Sequence, residues 1–151
     1  MPNALVFEDF SLDEIVDYGS VVVSADEIIA FAREFDPQPF HLDDEAGRGA
    51  TGGLIASGWH TAALLLRMNC DAFLTRAAVV DEPEIEEICW QLPVRPGDRL
   101  RVRRRMLAGR VLDGPTGEVE FLYEVVNQDE LVAMTQRSLV VFERRREPGA
   151  A

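Results

Sequence analysis

The chain has 151 residues, 47% of them hydrophobic and 28% charged, which bounds it to one globular domain around one core. Its net charge of −12 disfavours nucleic acid and anionic membrane surfaces as partners. The acidic N-terminus MPNALVFEDF lacks the basic region of a signal peptide, and Cys70 and Cys89 form no CxxC pair, so a reduced, cytoplasmic protein is the expectation.

Residues 18–23, YGSVVV, predict a strand. Ser24 then opens a helix, because Glu27 three positions on completes a capping box. Ile28, Ile29, Phe31, Ala32 and Phe35 supply its apolar face at helical spacing. The helix must stop before Pro37, which places Asp36 at a helix end and at the mouth of a loop. Pro37 and Pro39 restrict that loop and lower the entropy lost in holding Asp36 and His41 together. HLDDEAGRG predicts one short helical turn, and residues 49–53, GATGG, a flexible loop. Residues 54–74 are the most apolar stretch, yet His60, Arg67, Asn69 and Asp71 mark a buried core helix over roughly 57–75, not a membrane span. Its leucines, with Trp59, read as core, although Trp59 could also wall a pocket.

The second half changes character. Strands are expected over 84–92, 99–108, 118–127 and 130–142, with turns at VRPGD (94–98), GRVLDGPTG (109–117) and Asn127–Asp129. A strand, then helices, then four meander strands indicates α+β: an antiparallel sheet wrapped on one long helix over residues 1–142, followed by a disordered tail at 143–151. Exposed sheet edges favour a homodimer or higher homo-oligomer.

The charges are unevenly spread. Residues 1–50 hold twelve acids against Arg33 and Arg48, and the other thirteen basic residues, all arginine, follow Ala50. An anionic ligand would therefore find countercharges in the second half, from Arg95, Arg99, Arg101, Arg103, Arg104 and Arg105, although each also reads as part of a solvated strand face or turn.

Asp36 and His41 on one restrained loop can share a water, one removing its proton and one delivering a proton to a carbon or leaving group. Burial beside Phe35 and Phe40 would raise the Asp36 pKa towards a useful base. The plainer reading is that Asp36 ends a helix and His41 bonds a backbone group. Gly58, at a helix start, exposes N–H donors that could hold a carbonyl oxygen, or simply allows close helix–strand packing. His60 reads better as a core or interface histidine than as a catalyst. Cys70 has no histidine at helical spacing, and no pattern of metal ligands or phosphate-binding glycines is present, so neither a metal nor a cofactor is expected.

The loop Asp36-Pro37-Gln38-Pro39-Phe40-His41-Leu42-Asp43, the helix start Gly52-Gly53-Leu54-Ile55-Ala56-Ser57-Gly58-Trp59-His60, and PVRPGDRL (93–100) together resemble the MaoC-like acyl dehydratases, the (R)-specific enoyl-CoA hydratase group of the hotdog fold. The resemblance covers about residues 10–142. It implies a lyase that adds water to a trans-2-enoyl thioester of coenzyme A or acyl carrier protein, giving the (3R)-hydroxyacyl product, or the reverse. It implies Asp36 and His41 as the water-activating pair and the Gly58 N–H as oxyanion donor, with Ser57, Trp59, Phe40 and Arg95 as substrate-binding candidates. Gln38 stands where the family has asparagine, Phe35 where a small residue precedes the aspartate, and Thr51 where an aromatic often precedes the glycine pair. A hotdog thioesterase and a non-catalytic acyl-thioester binder or partner subunit are the competing functions.

Overall fold

The computed structural model describes residues 4–149. In chain order it contains β1 (Ile15–Val22), α1 (Ala25–Phe35), α2 (Asp44–Thr51), α3 (Gly58–Ala72), β2 (Val79–Trp90), β3 (Arg99–Val111), β4 (Thr116–Val126) and β5 (Val132–Glu143). The strands form one antiparallel sheet in the order β1-β3-β4-β5-β2. Its inner face wraps α3, which is the hotdog arrangement expected. The meander is shorter than predicted: only β3, β4 and β5 are consecutive neighbours, and β2 lies on the far edge beside β5. Residues 91–98 therefore cross from one side of the sheet to the other, and their VRPGD turn starts β3 against β1 instead of returning β2 onto itself.

Alternation along β4 explains which face is inner. Val119, Phe121, Tyr123 and Val125 are buried, while the residues between them are partly exposed. Leu100 and Val102 of β3, Met134, Val140 and Phe142 of β5, and Leu65 and Met68 of α3 complete the core. Tyr18 of β1 donates its hydroxyl hydrogen to Asn69 Oδ1 at 2.6 Å, tying the other edge of the sheet to α3. Arg104 faces inward, where the pattern calls for an apolar residue. Its guanidinium stands over the Phe73 ring at 4.3 Å, with Phe10 and Phe121 close by, so aromatic faces take the place of a counter-ion.

The outer face is covered by ion pairs. Arg103 meets Asp17 and Glu124, Arg101 meets Glu130, Arg110 meets Glu118, and Arg137 meets Glu86 and Glu120. Two of the arginines expected to attract an anion, Arg101 and Arg103, are thus engaged by neighbouring acids.

Boundaries moved for identifiable reasons. Asp43 caps α2 by accepting from the Glu45 N–H, so the predicted single turn becomes two turns that absorb Gly49–Thr51 from the predicted loop. Gly52, at φ 76°, then ends the helix in the left-handed region. The helix predicted to reach Thr75 stops at Ala72 because Phe73 turns into the core. The strands around the 109–117 turn are longer than expected, running to Val111 and resuming at Thr116. Trp59 and Leu66, read as core, lie on the exposed side of α3, as does Phe35 on α1 at 66% exposure. The tail is held beyond residue 143: the Arg144 N–H donates to the Pro115 carbonyl, and the Arg145 N–H to the Glu8 carboxylate, each at 2.8 Å. No helix of the described residues is long and apolar enough to cross a membrane.

Leu65, 1% exposed, joins α3 to the sheet. Leu65→Ala is expected to lower stability by about 2–5 kcal/mol in urea unfolding; a change below about 1 kcal/mol would show that α3 is not anchored there.

Candidate active site

Four separate pieces of chain converge on one cavity of about 440 Å³. The end of α1 supplies Asp36, as its C-cap. A 3₁₀ turn at Pro39–His41, begun by a proline whose missing N–H costs nothing there, supplies His41. The start of α3 supplies Gly58, and the end of β2 supplies Trp90. The extended stretch Ile55–Ser57 holds them together. Its Ile55 N–H donates to the Phe40 carbonyl at 3.1 Å and its Ala56 N–H to the Val94 carbonyl at 2.8 Å.

Asp36 Oδ2 accepts from the Ser57 hydroxyl at 2.6 Å, and Oδ1 accepts from the Gln38 amide at 2.7 Å. These two hydrogen bonds, Ser57's first, outweigh partial burial and hold the Asp36 pKa below the usual carboxylate range. The sequence argument expected the reverse. Phe35 points to solvent and does not bury the carboxylate, so there is no apolar wall to raise it.

His41 is 5% exposed. Its Nδ1 lies 2.7 Å from the Ile55 carbonyl oxygen. A carbonyl can only accept, so Nδ1 carries the hydrogen and Nε2 is left as the working nitrogen. Nε2 lies 3.3 Å from Asp36 Oδ2. Phe40 meets the imidazole edge-to-face at 4.5 Å and supports it from behind. Both plain readings of the loop are therefore true: Asp36 does end a helix and His41 does bond a backbone carbonyl. They are also what aims the two groups at each other across the cavity wall.

Ser57 is the N-cap of α3 and is fully buried. Its oxygen accepts from the Trp59 N–H at 3.3 Å while its hydrogen goes to Asp36. Gly58 lines the cavity, and its N–H has no acceptor among the described residues. It sits at the positive end of a 15-residue helix.

The remaining candidates are distributed differently. Trp59 is 60% exposed and forms part of the cavity wall. Ser57 and Phe40 touch Asp36 and His41 but do not line the cavity. Arg95 donates to the Thr51 carbonyl and so closes the C-terminus of α2; it does not line the cavity. His60 is buried, stacked on Phe31 at 4.8 Å, and burial lowers its pKa. Gln38, Thr61, Trp90 and the stretches Ile55–Ala56 and Gln91–Val94 also line the cavity, and none of them stood among the sequence candidates. Trp90 gave no signal, since a tryptophan ending a strand reads as core or surface alike. Gln38 was visible as a departure from the family loop, but its grip on Asp36 was not. No group of three His, Cys, Asp or Glu side chains among the described residues could hold a metal ion.

Ser57→Ala and Gln38→Leu each remove one donor from Asp36, so its pKa is expected to rise in both, more in Ser57→Ala. Because the native value is depressed, the stability this carboxylate contributes is present above its unfolded value of about 3.9 and is lost as pH falls through the folded one. Both variants narrow that acid window. A carboxyl-carbon NMR titration reads the shift directly, and an unmoved Asp36 in Ser57→Ala would refute this account of its charge.

Comparisons with known proteins bear out the family and the fold. Residues 10–129 match the family model described as the MaoC like domain. A crystal structure of the MaoC-like dehydratase from Rhodospirillum rubrum superposes with a TM-score of 0.88 at 38% identity, covering 95% of this chain and 99% of that one. The uncharacterized protein YdeM of Bacillus subtilis is 28% identical over 138 residues, 91% of this chain and 98% of its own length. The unliganded R-hydratase PhaJ1 of Pseudomonas aeruginosa shares the fold at a TM-score of 0.73 with 17% identity, covering 98% of this chain and 96% of that one. With the family model spanning most of the domain that carries Asp36, His41 and Gly58, the chain belongs to the MaoC-like dehydratase family.

Proposed function

We propose that this protein is a hydro-lyase that adds water to a trans-2-enoyl thioester of coenzyme A or an acyl carrier protein, giving the (3R)-hydroxyacyl thioester, and that it catalyses the reverse dehydration. The observation that carries the reading is the meeting of His41 Nε2 and Asp36 Oδ2, 3.3 Å apart, on the wall of the cavity that the unpartnered Gly58 N–H also lines. Family membership supports the reaction class, and the R-hydratase among the structural neighbours shares the fold.

The chemistry follows from the charges. Asp36 is held as a carboxylate by Ser57 and Gln38, so it accepts a hydrogen bond from the water without carrying the proton away. His41 Nε2 takes the proton as the water oxygen bonds to C3. The C2–C3 π electrons move towards C2 and the thioester oxygen, where the Gly58 N–H and the α3 dipole meet the developing negative charge. The imidazolium, steadied by Asp36, then gives its proton to C2 on the same face. Water is added as one O–C3 and one H–C2 bond, and the enzyme returns to its starting state. A thioesterase would need Asp36 as nucleophile or strong base, and a carboxylate with both oxygens occupied by donors is poor at either task.

Loss of the conjugated enoyl absorbance, followed with short and long trans-2-enoyl-CoA, tests the reading. Asp36→Asn and His41→Ala should each lower the rate by about 10²–10⁴-fold while the fold persists by circular dichroism. Full activity in either variant would sink the assignment.

We also infer a homodimer. The edge strand β2 runs 12 residues with its outer side unpaired among the described residues, and Val80 and Ile85 within it and Leu92 just beyond it are exposed. Light scattering should give twice the chain mass of 16.9 kDa; a monomer across the accessible concentration range would remove this inference.

A further inference from the structure

Trp90 stands in no motif, yet it touches the one glycine on which the proposed oxyanion donor depends. Its indole Nε1–H donates to the Gly58 carbonyl at 2.8 Å. Its ring lies so close over the Gly58 Cα that a Cβ there would sit 2.7 Å from indole atoms. Gly58 is not at positive φ, so its backbone would accept any side chain. The ring is therefore what demands glycine at this position. Trp59 meets the indole edge-to-face at 5.2 Å and limits its movement from the other side. Trp90 is nevertheless 44% exposed and lines the cavity, so it is not there to fill the core.

We propose that Trp90 is a positioning residue: it clamps the first residue of α3 from the end of β2 and so holds the Gly58 N–H aimed into the cavity. Two contacts act on one residue. The hydrogen bond fixes the carbonyl, and the ring packed on the Cα blocks rotation of the backbone on either side. The preceding N–H then keeps its direction with no acceptor of its own, and the first turn of α3 is pinned to the sheet at the point where charge develops. This inference rests on the hydratase reading.

A double-mutant cycle tests it. Trp90→Phe retains a ring and loses the donor. It is expected to lower kcat by about tenfold, a fraction of what losing an oxyanion donor costs, with KM changed less than about twofold. Trp90→Ala should cost more. Gly58→Ala should be severely impaired in the native background and should add little to Trp90→Ala, because the clash that makes glycine necessary is gone. The same cycle read on melting temperature should show that Gly58→Ala destabilises only when Trp90 is present.

If Trp90→Phe leaves kcat unchanged, or if Gly58→Ala harms the two backgrounds equally, the proposal is overturned although the hydratase reading survives. If the native protein hydrates no enoyl thioester, the hydratase reading fails and takes the catalytic part of this proposal with it. The melting-temperature cycle still decides whether Trp90 is the reason for glycine.

Discussion

The site depends on one extended stretch of three residues that belongs to no helix or strand. Ile55, Ala56 and Ser57 use their backbone and side-chain groups towards the catalytic loop, the approach to β3 and the start of α3 at once. Buried backbone groups must find partners, and here every partner is a piece of the site. The Ile55 carbonyl sets the histidine tautomer. The Ile55 N–H holds the loop from which the histidine projects, and Ser57 fixes the aspartate. One short stretch thus touches both members of the pair and leads directly into Gly58.

The same connections explain the division of labour between the two ionisable groups. An acid and a histidine at 3.3 Å could in principle share either role. The donors differ: Asp36 receives two of them and His41 Nε2 none. The carboxylate is stabilised in its charged form, and the imidazole has one nitrogen committed and one free, which is the asymmetry the proposed mechanism uses. Gln38 takes part in this, although the family loop carries a shorter amide there. The extra methylene does not loosen the site: the amide reaches the carboxylate at 2.7 Å.

Much of this was legible in the sequence, and what was not has physical causes. The capping box at Ser24 and the proline at 37 fixed α1 and placed Asp36 at its end, as local chemistry should. The loop to His41 and the glycine of α3 were visible as an unusual concentration of constrained residues. The order of strands was not, because alternation reports which face of a strand is buried and says nothing about which neighbour it pairs with. The Asp36 pKa was misjudged for a similar reason. Sequence neighbours such as Phe35 were taken as its surroundings, whereas its true environment comes from Ser57, 21 residues away. Leu66 was misassigned because Leu64, Leu65 and Leu66 stand in a row, so the pattern does not say which of them faces the sheet; Trp59 is exposed but lines the cavity, as the second reading of it allowed.

The ion-paired outer face of the sheet has a kinetic consequence. Each arginine paired there cancels a neighbouring acid, Asp17 of the first fifty residues among them, and the chain as a whole keeps its net charge of −12. A phosphate-bearing thioester, the substrate that the proposed function requires, would approach a molecule that repels it at long range. Salt in solution shortens that repulsion to about 8 Å at physiological ionic strength, so encounter should quicken as salt is added, the opposite of an electrostatically steered enzyme.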